Sequence, residues 1–180
     1  MTLSLPDIPV CPVLGVRLRV TAYAGVLAAI SDTVAARRQM RINFCNVHVT
    51  MMAQRNKELR AALNHPDALT VPDGMPLVWA MRSWNASLSD RVYGPDAFEL
   101  CLEHSQHEAL THFFYGSRDA TREKLLANLS ERFPELRVAG SFSPPFRPLS
   151  PDEEKDVIRN INAARPDILW VGLGAPRQEI

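Results

Sequence analysis

The most informative stretch of this sequence covers residues 168–179 and reads ILWVGLGAPRQE. Its first part, Ile168–Leu173, is almost wholly apolar, which predicts a β-strand that is buried on both faces of a sheet. Gly174-Ala175-Pro176 then ends the strand. Arg177 and Gln178 add a cation and an amide at the same edge, where glycine lets a ligand approach the backbone closely. A strand-ending turn explains the glycines, but it does not explain the clustered polar residues.

The same alternation of short apolar runs with longer amphipathic stretches extends along the whole chain. The apolar runs predict strands at Met40–Cys45, Ala68–Val71, Thr111–Tyr115 and Leu136–Ser141, and a short strand pair within Val10–Val20. Helical spacing predicts helices at Tyr23–Arg38, Val47–Asn56, Lys57–Leu63, Pro76–Ser83, Pro95–His107, Asp119–Arg132 and from Pro151 to about Ala164. Strand–helix–strand repetition predicts an α/β, Rossmann-like sandwich, with a mainly parallel sheet covered by helices on both faces.

Composition narrows the classes of function. Lys+Arg and Asp+Glu both number 20, so the formal net charge is zero. A nucleic-acid-binding domain normally carries a basic excess, so we expect no nucleic-acid partner. Cys11, Cys45 and Cys101 form no CxxC pair, and we expect them to be reduced, buried packing residues in a cytosolic protein.

The chain also shows no sign of export or membrane insertion. The start of the sequence lacks the charged and apolar regions of a signal peptide, and no apolar run approaches the ~20 residues that span a bilayer. The protein is expected to be soluble or peripheral to a membrane. No long linker, repeat or low-complexity tract divides the sequence, so residues 1–180 are predicted to form a single domain.

In open α/β sheets, ligands bind beyond the carboxyl ends of the strands. Three unusual turns are predicted there: Asn46 onward, Pro72-Asp73-Gly74, and residues 172–178. As a turn residue, Asp73 would cap the following helix. As a site residue, its carboxylate would take a proton from an attacking hydroxyl. Asn46 is likewise either a helix cap or a ligand for a sugar, and His48 is more typical of a surface or packing histidine.

Two further turns carry candidate phosphate ligands. Arg91 precedes Gly94 just ahead of a helix, and it is either a bidentate phosphate ligand or a surface arginine. Asp96 is a first-turn acid that complements the helix dipole. Gly116-Ser117 is a tight strand-to-helix turn, but the sequence has neither GxGxxG nor GxxxxGK[ST] around it.

Taken in order, these segments resemble the WecG/TagA/CpsF glycosyltransferase family from about residue 40 to the end of the chain. Five segments carry the resemblance: the strand ending at Asn46, Pro72-Asp73-Gly74 with Val78-Trp79-Ala80, Arg91-Val92-Tyr93-Gly94-Pro95-Asp96, Phe114-Tyr115-Gly116-Ser117, and residues 167–179. The last segment runs from Asp167 to Glu179 and includes Gly172, Gly174 and Gln178. Each segment alone is weakly informative, whereas the ordered set with matching spacing is specific.

The resemblance implies an inverting glycosyltransferase that uses a UDP-sugar donor and neither a metal nor another cofactor. The sugar, a hexose or N-acetylhexosamine such as ManNAc or glucose, would go to an undecaprenyl-diphosphate-linked acceptor at the cytoplasmic membrane face. The products would serve cell-envelope polysaccharide synthesis. By the family pattern Asp73 is the catalytic base, Asn46 and Gln178 line the sugar site, and Arg91 lies near the acceptor or the diphosphate. The sequence contains no Asp-x-Asp motif to hold a metal. The resemblance further suggests self-association into a homo-oligomer.

The sequence departs from the family pattern in three places. Phe44 stands where many relatives have Thr, and Tyr93 stands where Thr is usual. Relatives also continue past the segment equivalent to 176–179 into a basic C-terminal appendage, which we expect this chain to lack. Two other functions compete with this one. A dinucleotide-dependent oxidoreductase lacks its glycine fingerprint here, whereas a non-catalytic nucleotide-sugar-binding or assembly protein remains an alternative.

Overall fold

The computed structural model of the protein describes residues 7–180. The first six residues belong to the segment in which we predict no signal peptide, and they lie outside the described residues. Between these limits, seven strands and seven helices follow each other along the chain. The strands are β1 Val10–Val13, β2 Val16–Arg19, β3 Arg41–Cys45, β4 Ala68–Pro72, β5 Thr111–Gly116, β6 Arg137–Phe142 and β7 Ile168–Gly172. The helices are α1 Tyr23–Ala35, α2 Val47–Arg55, α3 Lys57–Leu63, α4 Met75–Ser83, α5 Gly94–Glu108, α6 Asp119–Arg132 and α7 Pro151–Ala164. Every predicted helix and strand is confirmed, with ends that move by three residues or fewer.

Contacts divide the described chain into two compact units. The first contains the residues up to Leu100 together with Ala175–Ile180, and the second contains Cys101–Gly174. In the first unit, β1 and β2 form an antiparallel hairpin, as predicted for this segment, and β3 pairs with β4 in parallel. Gly15, with φ +77°, supplies the left-handed backbone in the hairpin turn.

In the second unit, β5 lies at the centre of a parallel three-stranded sheet with the order β6-β5-β7. Parallel neighbours need a crossover, and α6 and α7 supply the chain that returns to the start of the next strand. Parallel strands that alternate with helices confirm the predicted α/β, Rossmann-like class. The prediction of a single domain stays a prediction.

Helix starts follow from local sequence. Asn46 and Asn56 cap α2 and α3, each accepting a backbone N–H three residues ahead at 3.0 Å. At the start of α7 the Ser150 side chain accepts from the N–H of Glu153, whose carboxylate in turn accepts from the N–H of Ser150. This reciprocal pair is the capping box that the sequence predicts.

The core of the first unit is an apolar cluster contributed by the hairpin, β3, helices α2 to α4 and the segment after α4. Its members are Cys11, Val13, Val16, Leu18, Cys45, Val49, Ala53, Leu59, Leu63, Leu77, Val78, Met81 and Leu88. Ala175, from the end of the chain, packs against this cluster. All three cysteines are buried free thiols, which confirms the prediction that they are packing residues. None of the helices between residues 7 and 180 combines the length and the apolar character required to span a bilayer.

The predicted burial of β7 on both faces is wrong. Leu169 is 42% exposed and Val171 is 37% exposed, although the strand is almost entirely apolar. The reason is its position: β7 pairs only with β5 among the described strands and so forms an edge of its sheet, and none of the described helices packs extensively over it. Apolar composition alone does not distinguish an edge strand from a central one.

Candidate active site

The carboxyl ends of β3 and β4 bring two of the predicted turns together. The strands pair in parallel with Cys45 opposite Pro72, and the N–H of Asp73 donates to the carbonyl of Cys45 at 2.9 Å. Asn46 and Gly74 therefore lie side by side, and a Cβ placed on Gly74 would be 3.9 Å from the Cβ of Asn46. This edge of the first unit has the position at which open α/β sheets bind ligands.

Asn46 is the N-cap of α2, which confirms the structural alternative for this residue. Its Oδ1 accepts the N–H of Val49 at 3.0 Å, and its carbonyl accepts both the N–H and the hydroxyl of Thr50. Within residues 7–180, nothing is hydrogen-bonded to Nδ2. The cap thus fixes the amide with its acceptor turned to the helix and its two N–H donors available to a ligand. His48, on the first turn of α2, is exposed, as its surface interpretation predicts.

Asp73 does not cap the helix that follows it. The N-cap of α4 is Gly74, and no side chain caps that helix. The Oδ1 atom of Asp73 instead accepts the backbone N–H of Gly94, at 3.0 Å and 21 residues along the chain. One carboxylate oxygen is therefore committed to the first residue of α5, and the other remains for chemistry.

The surroundings of Asp73 change its acidity. Burial raises the pKa of Asp73 above its ordinary value, while the hydrogen bond from Gly94 and the charge of Arg91 lower it and the charge of Asp96 raises it. A carboxylate with a raised pKa is a stronger base, and general bases work best when their pKa approaches the working pH. The direction of this shift is the one that favours a general base.

The segment that carries Arg91 runs beside the end of β4. The N–H of Val92 donates to the carbonyl of Pro72 at 2.8 Å, directly before Asp73. At Gly94 a Cβ would lie 3.4 Å from Cγ of Phe44, at the lower limit of an ordinary van der Waals contact. The segment is held by backbone contacts, and the charge of Arg91 acts on Asp73 without an ion pair between them.

Two aromatic residues in this region were not predicted as site residues from the sequence. The guanidinium of Arg91 lies over the ring of Tyr93, with Cζ 4.4 Å from the ring centroid. The hydroxyl of Tyr23 donates to Oδ2 of Asp96 and accepts the N–H of Tyr93. The sequence did give a sign that Tyr93 is unusual, because it stands where the family has threonine. Tyr23 gave none, because its partners lie 70 and 73 residues away.

The predicted glycines of the second unit meet on adjacent strands. Gly116 pairs with Gly172 across β5 and β7, and the N–H of Ser117 donates to the carbonyl of Gly172 at 3.3 Å. A Cβ on Gly116 would approach the carbonyl carbon of Gly172 to 2.7 Å, and Gly116 has φ +130°. Gly174 also has a positive φ, of +78°. Backbone geometry therefore explains the glycines at 116 and 174, whereas a Cβ on Gly172 would meet no atom within 4 Å.

The motif at 172–179 is divided between the two units. Gly172 and Gly174 belong to the second unit, while Arg177 and Gln178 belong to the first and are exposed. Of the predicted site residues, Asn46, Asp73, Arg91 and Gly94 are brought together at one edge, and Gly116 pairs with Gly172 in the other unit.

Glu179 is a buried acid that the sequence analysis did not place in the site. It is 9% exposed; its Oε1 accepts from Nε2 of Gln178 at 2.9 Å, and its Oε2 has no hydrogen-bond partner within the described chain. Burial raises the pKa of Cys45 to about 11, with the charges of Glu179 and Asp73 adding to that effect. Glu179 and Asp73 therefore both lie near the end of β3. Residues 7–180 contain no cluster of His, Cys, Asp and Glu suited to a metal ion.

Comparison with known proteins identifies the family of this chain. A sequence model described as "Glycosyl transferase WecG/TagA/CpsF family" matches residues 11–180. The chain belongs to this family. The match covers Asn46, Asp73, Arg91 and the 172–179 motif, so the WecG/TagA/CpsF resemblance drawn from those residues is confirmed.

Several curated relatives are named N-acetylglucosaminyldiphosphoundecaprenol N-acetyl-beta-D-mannosaminyltransferase. The relative from Bacillus spizizenii is 27% identical over 134 residues, which are 74% of this chain and 50% of the relative. The Bacillus subtilis relative is 25% identical over 138 residues, 77% of this chain and 52% of its own length. A Staphylococcus aureus relative is 28% identical over 111 residues, 61% of this chain and 41% of its own. This WecG/TagA/CpsF family member therefore spans about half the length of the curated relatives it matches.

Proposed function

We propose that this chain acts in an inverting, metal-independent glycosyltransferase that moves a hexose or N-acetylhexosamine from a UDP-sugar to an undecaprenyl-diphosphate-linked acceptor. The observation that carries the proposal is Asp73, a half-buried carboxylate with one free oxygen and a raised pKa at the ligand-binding edge of a family member. The names of the relatives supply the classes of sugar and acceptor, ManNAc and a GlcNAc-diphosphate lipid. Glucose and related hexoses are kept as donors to test.

The proposed reaction is a direct displacement. The acceptor hydroxyl gives its proton to the carboxylate of Asp73, and its oxygen bonds to the anomeric carbon of the donor. The bond from that carbon to the UDP oxygen breaks, and its electron pair leaves with the diphosphate. Attack from the face opposite UDP inverts the anomeric centre, so one general base suffices and no covalent intermediate forms.

The other residues at this edge have supporting roles in the proposal. The Nδ2 donors of Asn46 and the amide of Gln178 orient the sugar, and Arg91 contributes positive charge to the leaving or acceptor diphosphate. Arg177, also in the first unit, adds a further cation for phosphate oxygens. The sequence has no Asp-x-Asp motif, so basic side chains and amides are proposed to stabilise the charge of the departing diphosphate. Because the acceptor is a lipid, the protein would work at the inner face of the cytoplasmic membrane, as a peripheral protein. It would act there as a homo-oligomer.

The test is a UDP-release assay on the protein reconstituted with lipid vesicles. A panel of UDP-sugars, including UDP-ManNAc and UDP-glucose, is supplied with and without a polyprenyl-diphosphate-GlcNAc acceptor. We expect one donor to give UDP release, and only when the acceptor is present. This release should be lost in Asp73→Asn. Asp67→Asn is the matched control, because Asp67 is an exposed carboxylate at the opposite end of β4. Release that persists in Asp73→Asn would remove the base assignment. UDP binding without release would favour the nucleotide-sugar-binding alternative.

A further inference from the structure

The guanidinium of Arg91 is held against an aromatic face. Its Cζ lies 4.4 Å from the centroid of the Tyr93 ring, and both residues are half-buried. Stacking uses the flat face of a guanidinium, while its five N–H donors point outward in the plane. The contact restrains the guanidinium over the ring and leaves its N–H donors for another partner.

Tyr93 is itself fixed at both of its peptide groups. Its N–H donates to the hydroxyl oxygen of Tyr23 at 3.1 Å, and its carbonyl accepts the N–H of Ala97 at 2.9 Å. The hydroxyl of Tyr23 in turn donates to Oδ2 of Asp96 at 3.2 Å. One phenol at the start of α1 thus ties the segment carrying Arg91 to the first turn of α5.

The charge of Arg91 is held near the base but is not neutralised by it. In the part of the chain that the structure describes, no carboxylate lies within ion-pair distance of this guanidinium. The N–H of Val92 donates to the carbonyl of Pro72, beside Asp73, and the charge of Arg91 lowers the pKa of Asp73. An oriented, unneutralised guanidinium is the kind of donor that binds phosphate oxygens in a bidentate manner.

We propose that Tyr93, fixed by the hydroxyl of Tyr23, is a positioning residue that holds Arg91 ready to bind a diphosphate. This inference rests on the proposed function, in which both the donor nucleotide and the lipid acceptor carry a diphosphate. Tyr93 does not touch the reacting atoms. Its effect passes through Arg91, so it must vanish when Arg91 is removed.

The experiment is a double-mutant cycle read by isothermal titration calorimetry. Wild type, Arg91→Ala, Tyr93→Ala and the double variant are titrated with UDP and, separately, with a short-chain polyprenyl diphosphate. With the diphosphate that Arg91 binds, we expect Arg91→Ala to weaken affinity about tenfold or more. Tyr93→Ala should weaken it about two- to fivefold in the wild-type background and not at all in Arg91→Ala.

Three further variants separate positioning from folding. Tyr93→Phe keeps the ring and should bind as wild type does. Tyr23→Phe removes both hydrogen bonds and should weaken affinity only while Arg91 is present. Arg82→Ala removes an exposed arginine from the last turn of α4 and should leave affinity unchanged. Thermal melts followed by circular dichroism check that each variant is folded.

The outcomes distinguish this inference from the function on which it rests. If Tyr93→Ala weakens UDP binding equally with and without Arg91, the positioning role is overturned while the nucleotide site stands. If wild type binds neither diphosphate, both proposals are overturned. If the coupling occurs with one ligand only, the inference is supported and that ligand identifies whether Arg91 serves the donor or the acceptor.

Discussion

The carboxylate of Asp73 accepts the backbone N–H of Gly94 at 3.0 Å, which joins the end of β4 to the first residue of α5. This contact gives the proposed base a structural task as well as a chemical one. Replacement by alanine would leave the N–H of Gly94 without its acceptor, and replacement by asparagine would keep an oxygen in its place. The two substitutions therefore separate folding from catalysis.

We predict that Asp73→Ala lowers the free energy of unfolding by about 1–2 kcal/mol, because a half-buried donor loses its partner. Asp73→Asn should stay within about 0.5 kcal/mol of wild type, since its side-chain oxygen can still accept from Gly94. Urea unfolding followed by circular dichroism measures both values. Equal losses in the two variants would contradict the assigned hydrogen bond.

The pH dependence of turnover should report the charges around Asp73. Because the pKa of Asp73 is raised, the acid limb of kcat/KM should lie above the pH expected of an ordinary aspartate. Arg91→Gln removes a charge that lowers this pKa, so the limb should move to higher pH. Asp96→Asn removes a charge that raises it, so the limb should move to lower pH. Shifts in the same direction in both variants would show that another group controls the limb.

Asn46 offers a test that separates its cap from its role as a ligand. Asn46→Ala removes the cap of α2 and should lower the free energy of unfolding by about 1 kcal/mol. Asn46→Asp keeps a capping oxygen but removes the Nδ2 donors, so stability should be retained while kcat/KM falls about tenfold. Unfolding curves and initial rates are measured on the same preparations. Full activity in Asn46→Asp would show that Asn46 is a helix cap and not a ligand for the sugar.

Two paired glycines should differ in how strongly the same substitution lowers stability. Gly116→Ala places a methyl group against the carbonyl of Gly172 at a positive φ, and we expect a loss of about 3 kcal/mol in the free energy of unfolding. Gly172→Ala meets no atom within 4 Å and should change stability by less than about 0.5 kcal/mol. Chemical denaturation compares the two, and similar losses would contradict the close approach.

The second unit contains a buried histidine that should make stability depend on pH. His112 is fully buried; its Nδ1 accepts from Nε1 of Trp170 at 2.9 Å, and burial lowers its pKa to about 4. The unfolded chain takes up this proton near pH 6.5, whereas the folded chain resists it until about pH 4. Stability is therefore complete above pH 6.5 and falls as the pH drops, by about 2 kcal/mol at pH 5.

Urea unfolding between pH 5 and 7 measures this slope. His112→Gln keeps an acceptor for Trp170 and should flatten the dependence. His107→Gln, at an exposed position near the end of α5, should retain it. A wild-type curve that is flat over this range would overturn the assignment to His112.

Local patterns predicted the fold well because they are set by neighbours in sequence. The apolar spacing of Tyr23–Ala35, the asparagine before α2 and the serine–glutamate pair at α7 each act within one or two turns. The placement of Asn46 and Asp73 at one edge followed from the rule for parallel strands. The interpretation of Asp73 as a turn residue that caps α4 is wrong, because its carboxylate accepts the N–H of Gly94, 21 residues away.

What the sequence could not supply were contacts between distant segments. Tyr23 meets Tyr93 and Asp96 across about 70 residues, and nothing in the sequence around Tyr23 indicates that meeting. The same holds for the buried carboxylate of Glu179 and for the position of β7 at a sheet edge. Such features depend on how the elements assemble, whereas the periodicity of a segment depends only on itself.

The exposed edge formed by β7 has a consequence for handling the protein. Its apolar residues Leu169 and Val171 are exposed, and β5 is the one described strand that is hydrogen-bonded to it. Such an edge is a template on which a strand from another molecule can be added. Concentrated solutions of this chain should therefore aggregate through intermolecular β-pairing, and a lysine at position 169 or 171 should raise its solubility limit.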